Sequence, residues 1–287
     1  MRVFVVLLLL VCNFSLWASV PVKAAIVLDA NTGDYIDGYN EDVKTQPASL
    51  TKMMTLLLTF KALKRGEITL STKVWVSKNA ASQRPCKLGL KEGEFITVKN
   101  AILALVTRSA NDVAVALGER IARGNEKLFV YMMNKEARRL KMRSTVFVNP
   151  SGWKNPKQLS TARDMAKLAR ALIRSYSRYY HFFATKKFSY KKAKIRNHNK
   201  LLGSRRGIII DGIKTGYVAA SGYNLAASAK KGRRRLVVVV LGGETAKQRD
   251  KEVNRLLKRG FNWKKKSTRI RRLSKIMIRK KILSRSR

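Results

Sequence analysis

The sequence predicts an α+β fold: an antiparallel sheet flanked by helices, with an all-helical lobe inserted between its first and last strands. Apolar, β-rich runs cluster at the two ends of the chain, at 25–29 and 35–36 and again at 208–213, 223–229 and 236–241. Between them, apolar residues recur at helical spacing over 50–63, 98–107, 111–122, 126–140 and 161–175, interrupted only by short loops and the turn Asn149-Pro150-Ser151-Gly152. A sheet assembled from both chain ends around an inserted helical block leaves a cleft between the two.

Each element has a local reason. Ala25 to Asp29 and Tyr35-Ile36 read as strands joined by Asn31-Thr32-Gly33-Asp34, residues that tolerate hairpin dihedrals. Pro47 stops any preceding strand, and Met53, Leu56, Leu57 and Phe60 then fall on one helical face. Ser49 therefore belongs at a helix N-terminus, where unpaired amides and the helix dipole favour developing negative charge. Thr161-Ala162-Arg163-Asp164 has the spacing of a capping box. The three late apolar runs are separated by Gly and charged turns, as adjacent antiparallel strands are, and Thr245 to Leu257 closes the domain as a helix.

Residues 1–24 read as a secretory signal: Arg2, an apolar run from Val3 to about Val11, and Val22-Lys23-Ala24 as the cleavage site. Asn13 and Ser15 interrupt that run, which falls short of the roughly 20 residues a membrane span needs. The mature chain is expected to begin at Ala25, with one large domain over 25–261 and a basic tail over 262–287. Cys12 lies in the signal, leaving Cys86 as the sole mature cysteine and no intrachain disulfide. Leu9-Leu10-Val11 lacks the small residue that lipidation of Cys12 would need, and Cys86 beside Pro85 reads as a small side chain in a loop.

With 62 Lys and Arg against 17 Asp and Glu, the chain carries a formal charge of +45. Lys and Arg supply the phosphate-neutralising part of nucleic-acid binding, but export removes that partner, and none is expected. Without signal and tail, 48 basic residues still face 17 acidic ones, so the charge is general. Outside a cytoplasm such a surface is drawn to anionic headgroups or wall polymers; a lineage-wide preference for Lys and Arg would produce the same composition.

Ser49-Leu50-Thr51-Lys52, Ser109-Ala110-Asn111 and Lys214-Thr215-Gly216 occur in this order at spacings that one fold can gather. Singly each is weak: the first recurs by chance in a Lys-rich chain, the second is commonly a helix cap, which it is also expected to be here, and the third an ordinary strand-to-turn sequence. Together they are the parts of a serine acyl-transfer site. Lys52 lies one turn from Ser49 and, if neutral, takes its proton; burial and the neighbouring Lys214 would depress an amine that ordinarily titrates near pH 10.4. Ser109 can relay a proton to the leaving group, Asn111 can hold a substrate amide, and Lys214 and Thr215 suit a carboxylate on a strand whose edge the substrate joins. Gly216 allows close backbone approach. His181 and His198 lack an acidic partner for a Ser-His-Asp triad, no Cys or His cluster has metal-ligand spacing, and Gly203 and Gly207 read as turns; no metal or cofactor is expected.

On these residues the chain resembles the penicillin-binding proteins of low molecular mass, and among them the serine-type D-alanyl-D-alanine carboxypeptidases of the DD-peptidase and β-lactamase-like superfamily. The resemblance runs through Val27 to Gly33, Pro47 to Met54, Lys87-Leu88-Gly89-Leu90, Phe147 to Gly152, Thr161 to Asp164 and Asp211 to Tyr217, and covers about Ala25 to Phe261. It implies removal of the terminal D-alanine from peptidoglycan stem peptides in wall maturation and cell shape. Ser49 would be the nucleophile and Lys52 its base; Ser109, Asn111, Lys214, Thr215 and Gly216 would complete the site. The amides of Ser49 and Tyr217 would form the oxyanion hole and Arg249 would lie near the terminal carboxylate. His198, in a stretch where relatives often hold an arginine, receives no role. β-Lactams are the implied inhibitors. Export ends in a periplasm or at a Gram-positive surface, and the expectation is the periplasm, with peripheral attachment to the outer face of the inner membrane as an option.

Relatives often continue into a small β-rich domain and then an amphipathic helix; the 26 residues after Phe261 are too few for that domain. Trp263, Ile270, Leu273, Ile276, Met277 and Leu283 share a broad helical side that Arg269, Lys280 and Lys281 spoil, so the expectation is a basic helix on an anionic membrane surface, with a disordered tail as the alternative. The functional alternatives are a D,D-endopeptidase acting on crosslinks, a serine β-lactamase, and a non-catalytic wall-binding protein. Class A β-lactamases add a Glu-x-x-Leu-Asn pattern, which none of Glu119, Glu126 and Glu136 begins.

Overall fold

The computed structural model describes residues 22–263; the expected signal segment before Val22 and the tail after Trp263 lie outside them. In chain order the elements are β1 (Ala24–Asp29), β2 (Tyr35–Tyr39), α1 (Lys52–Lys64), β3 (Lys73–Trp75), α2 (Lys78–Ala81), β4 (Phe95–Thr97), α3 (Val98–Thr107), α4 (Asn111–Ile121), α5 (Glu126–Arg139), α6 (Ala162–Ser175), α7 (Ser177–Tyr180), β5 (Lys187–Tyr190), β6 (Ala193–Arg196), β7 (Gly203–Arg205), β8 (Ile208–Val218), β9 (Gly222–Lys231), β10 (Arg234–Gly243) and α8 (Ala246–Asn262). A single antiparallel sheet runs in the order β2-β1-β10-β9-β8-β7, which joins the two chain ends through Ala24↔Leu241 to Asp29↔Leu236. The strand opens at Ala24, one residue ahead of the expected mature start.

The apolar run Leu236–Leu241 lacks the alternation of a half-exposed strand because β10 is covered on both faces. Val237, Val239 and Leu241 join the core under the helical lobe, whereas Val238 and Val240 pack with Val253, Leu256 and Leu257 of α8. Gly260 lets α8 press onto the sheet: a Cβ there would meet Leu236 at 2.7 Å and Val27 at 3.0 Å. At the centre of the lobe, α1 is buried at every position from Lys52 to Phe60, as a helix apolar all round must be. Among the described residues, no helix is long and apolar enough to cross a membrane.

Local chemistry departs from expectation at three points. Residues Ala48–Thr51 form a 3₁₀ turn before α1, so Ser49 sits in that turn and not at the first turn of an α-helix. The N-cap of α4 is Ala110, without a side-chain cap, so Ser109-Ala110-Asn111 does not cap by hydroxyl or amide. Thr161 accepts from the Asp164 amide, but the Asp164 carboxylate turns to the Ser144 amide and the Thr145 hydroxyl, leaving the box half closed; the complete box is Thr245 with Gln248. The β3–β4 and β5–β6 ribbons had no legible period, being three or four residues per strand.

Candidate active site

The 3₁₀ turn of Ser49, the loop before α4, the turn at 149–152 and the outer half of β8 enclose a cleft of about 510 Å³. The turn is held by close packing. Ala48 has φ +50°, a left-handed conformation that costs a non-glycine residue on the order of 1 kcal/mol. Gly152 lies so close that a Cβ would stand 2.0 Å from the Ala48 carbonyl oxygen. On the other side Gly216 brings β8 against the turn; a Cβ there would lie 3.1 Å from the Ser49 nitrogen. The absence of a Cβ at Gly152 and Gly216 lets two backbones converge on the Ser49 turn.

Lys52 extends from the buried first turn of α1 into this junction and is wholly out of water. Its Nζ lies 3.1 Å from Ser49 Oγ, 2.7 Å from Asn111 Oδ1 and in hydrogen-bond contact with the Ser151 carbonyl. Burial first, and then the Lys214 charge, push its pKa well below the usual value. A neutral amine has two N–H bonds and one lone pair. With Asn111 Oδ1 and the Ser151 carbonyl taking the two N–H bonds, the lone pair faces the Ser49 hydroxyl, the arrangement a proton acceptor requires.

Lys214, on β8, is 1 % exposed and donates only to the Thr215 carbonyl, at 2.8 Å. Burial brings its pKa down from 10.5 to about 7, against an opposing influence of Cys86 and with a smaller downward push from the Arg249 charge. Thr215, Gly216 and Tyr217 line the cleft beside it. Because β7 pairs only with Ile208–Ile210, no strand covers the outer side of β8 from Lys214 onward among the described residues. Ser109 has φ +63°, and its buried Oγ has no hydrogen-bond partner. The Asn111 side chain is committed to protein partners at both ends, Lys52 through Oδ1 and the Arg84 carbonyl through Nδ2 at 2.8 Å. Arg249 reaches the cleft from α8, with Nε and Nη2 on Asp250.

The cleft also gathers residues that the sequence left unassigned. Cys86 lines it, exposed, while its carbonyl accepts from the Asn111 amide at 2.7 Å. His198, to which no role was attached, is on the cleft wall; desolvation, then Lys214, Arg108 and Lys52, push its pKa down to about 4, so the ring is neutral at pH 7. Ser151 contributes a carbonyl, which every residue possesses, so no side-chain pattern could reveal it. Asp250 is the one acid lining the cleft among the described residues.

The family model described as D-alanyl-D-alanine carboxypeptidase matches residues 15–245. A D-alanyl-D-alanine carboxypeptidase, DacC of Escherichia coli, is 39 % identical over 251 residues, covering 85 % of this chain and 62 % of its own length. Penicillin-binding protein 5 of Haemophilus influenzae superposes with a TM-score of 0.81 at 36 % identity, over 85 % of this chain and 71 % of that one. Penicillin-binding protein D2 of Listeria monocytogenes, solved in a cefotaxime-bound form, gives 0.75 at 31 % identity over 84 % and 98 %. The chain spans 62 % of the length of the curated relatives it matches most strongly.

Proposed function

The chain belongs to the D-alanyl-D-alanine carboxypeptidase family, and from that premise we propose that it is a serine DD-carboxypeptidase removing the terminal D-alanine of peptidoglycan stem peptides through an acyl-enzyme on Ser49. The observation that carries this reading is the buried Lys52 amine, 3.1 Å from Ser49 Oγ, with two acceptors on its N–H bonds and no ion-pair partner among the described residues.

In the proposed reaction Ser49 Oγ attacks the carbonyl carbon of the scissile D-Ala-D-Ala bond as its proton passes to Lys52 Nζ. The amides of Ser49 and Tyr217 receive the developing oxyanion. The proton then reaches the leaving amine by way of Ser109, whose unpartnered hydroxyl is free to bridge. D-Alanine departs, the acyl group stays on Ser49, and water attacks that ester to release the shortened peptide and restore the hydroxyl. Lys214, Thr215 and Arg249 hold the terminal carboxylate, and the open side of β8 accepts the peptide backbone as an added strand. Asn111 acts by orienting Lys52 rather than by binding a substrate amide, since both ends of its side chain are taken.

The same reading makes β-lactams slow-leaving acylating agents. The one cleft acid, Asp250, is paired with Arg249 and gives no free carboxylate to activate the deacylating water, which speaks against a β-lactamase. Export by residues 1–24 to the periplasm, and attachment of 262–287 to an anionic membrane surface, complete the proposal. Salt-sensitive liposome binding lost on truncation after Phe261 would support the latter, and unchanged binding would remove it.

The test is D-alanine release from a pentapeptide ending in D-Ala-D-Ala, with covalent penicillin labelling in parallel, on the wild type and on Ser49→Ala. Both signals are expected to vanish in the variant. Labelling without release would point to crosslinked substrate, and neither signal from folded wild type would sink the enzymatic reading.

A further inference from the structure

A second concavity, of about 800 Å³, lies between the β5–β6 hairpin and the loop Lys87-Leu88-Gly89-Leu90, and its walls include Lys87, Arg108, Lys191, Lys192, Lys194 and Arg196. The charge of the chain is general, but here six cations converge on one concavity. Some surface arginines meet acids, Arg163 with Glu41 and Asp42, Arg255 with Glu252 and Arg259 with Asp37. The stretch 186–206, by contrast, holds nine Lys and Arg and no acid. Among the described residues, Lys191 alone of this stretch finds a carboxylate, Glu94, at 2.9 Å. Lys192, Lys194 and Arg196 are exposed and have no ion-pair partner among the described residues.

A buried acid shapes the groove. Asp112, fully buried at the start of α4, accepts from the amides of Leu88, Gly89 and Leu90 at 3.1, 2.9 and 3.2 Å. Its oxygens are thus taken up by the loop, and it makes no ion pair with the cations of the groove among the described residues.

The groove begins where the cleft ends. Lys87 follows Cys86 and Arg108 precedes Ser109, and Cys86 and Ser109 both line the cleft. Arg108 donates through Nε to the Lys87 carbonyl at 3.4 Å, and its charge reaches His198 inside the cleft. A short peptide cut at Ser49 does not need cations that lie beyond the cleft. A polymer of stem peptides presents further free carboxylates alongside the one being cut.

We propose that the β5–β6 groove binds the free carboxylates of neighbouring stem peptides on polymeric peptidoglycan, so that the substrate preferred by the cleft is the assembled polymer. This rests on the carboxypeptidase reading. Exposed cations facing a polyanion raise its local concentration and association rate in a salt-dependent way. They do little for a short peptide that never reaches them.

The experiment compares D-alanine release from purified, lipid-free pentapeptide-rich peptidoglycan with release from a short soluble peptide, for the full chain and for K192E/K194E/R196E, with K192Q/K194Q/R196Q as a milder form. The charge-reversed form is expected to raise KM for the polymer about tenfold and the neutral form about threefold, with the penicillin-labelling rate and short-peptide kcat/KM within about twofold of wild type. Added salt should raise the polymer KM of the wild type and leave that of the variants nearly flat. Equal loss on both substrates, or no loss on either, would overturn the proposal. So would variants that keep full polymer turnover but lose binding to anionic phospholipid vesicles, which would make the groove a lipid site. No release from either substrate by folded, unlabelled wild type would instead remove the carboxypeptidase reading itself.

Discussion

Two cations on or beside strand β8 are both removed from water, yet their surroundings are opposite. Arg235, on β10, is 8 % exposed and makes a bidentate pair with Asp211, at 2.8 and 2.7 Å, while its guanidinium lies over the Tyr180 ring at 5.0 Å. Three residues beyond Asp211, Lys214 is 1 % exposed and has a single backbone carbonyl for company; Lys52 nearby has three neutral partners and, like Lys214, no ion pair among the described residues. A buried charge that serves the fold is given a counterion, because leaving it bare costs several kcal/mol. One left bare shifts its pKa instead and becomes able to exchange a proton near neutrality. The distinction separates the scaffold of this protein from its chemistry more cleanly than burial does.

Removing one member of each class should break the molecule in different ways. Lys52→Met is expected to lower kcat/KM for D-alanine release by about a thousandfold, the scale of a lost general base. Its stability should change by less than about 2 kcal/mol, because relief from burying the amine offsets the acceptors left at Asn111 and Ser151. Arg235→Met should do the reverse. Asp211, already pushed up by burial, would lose the partner that opposes that shift, and Lys230 at 3.7 Å is too far to replace a bidentate fork. The expected loss is about 3–5 kcal/mol, with activity per folded molecule nearly retained. Denaturant melts alongside active-site titration with labelled penicillin separate the two. A Lys52→Met protein that melted like Arg235→Met would erase the comparison.

The same contrast explains what the sequence could and could not disclose. Ser49, Lys52, Ser109, Asn111, Lys214 and Thr215 were legible because their side chains can do something few others can, and their order along the chain is compatible with one fold. The long helices and the strands from Ile208 to Gly243 were legible from apolar periodicity. The partners that tune the site were not. The Ser151, Arg84 and Cys86 contributions are backbone carbonyls, which carry no residue code. The left-handed φ at Ala48 and Ser109 is imposed by packing, against the preference of both residues. His198 belongs to the cleft only because the chain between β6 and β7 folds back over it, a tertiary fact invisible to local spacing.

Lys214 sharpens the comparison through pH. At a pKa of about 7 in the empty cleft, it is increasingly neutral above neutrality, and a substrate carboxylate must then draw a proton in as it binds. KM for a D-Ala-D-Ala peptide should therefore rise up to about tenfold per pH unit above 7, while kcat follows the deprotonation of Lys52 and does not fall in parallel. The stability effect has a definite sign. Below pH 7 the amine is charged in both folded and unfolded chains, and the full cost of burying it is present. Between about 7 and 10.5 the unfolded chain holds a proton that the folded one has released, so stability from this group rises with pH. Lys214→Arg, which does not titrate in this range, should flatten the KM profile. A profile of the same shape in that variant would assign the effect to another group.

Arg249 stands between the two classes and tests whether the division is graded. It is 4 % exposed and paired, but through Nε and Nη2 to one oxygen of Asp250, at 2.9 and 2.6 Å, on the rim of the cleft and with Nη1 left unpartnered. If a counterion holds this cation partly in reserve, Asp250→Asn should uncover it and lower KM for a peptide ending in a free carboxylate by about two- to fivefold below pH 7, at a stability cost of about 1 kcal/mol or less. The gain should shrink above pH 7, because an uncovered Arg249 charge depresses Lys214 further and removes the second cation from the same carboxylate. An unchanged KM at pH 6.5 would place Arg249 with Arg235, as a residue that serves the fold, and leave Lys214 and Thr215 to recognise the carboxylate without it.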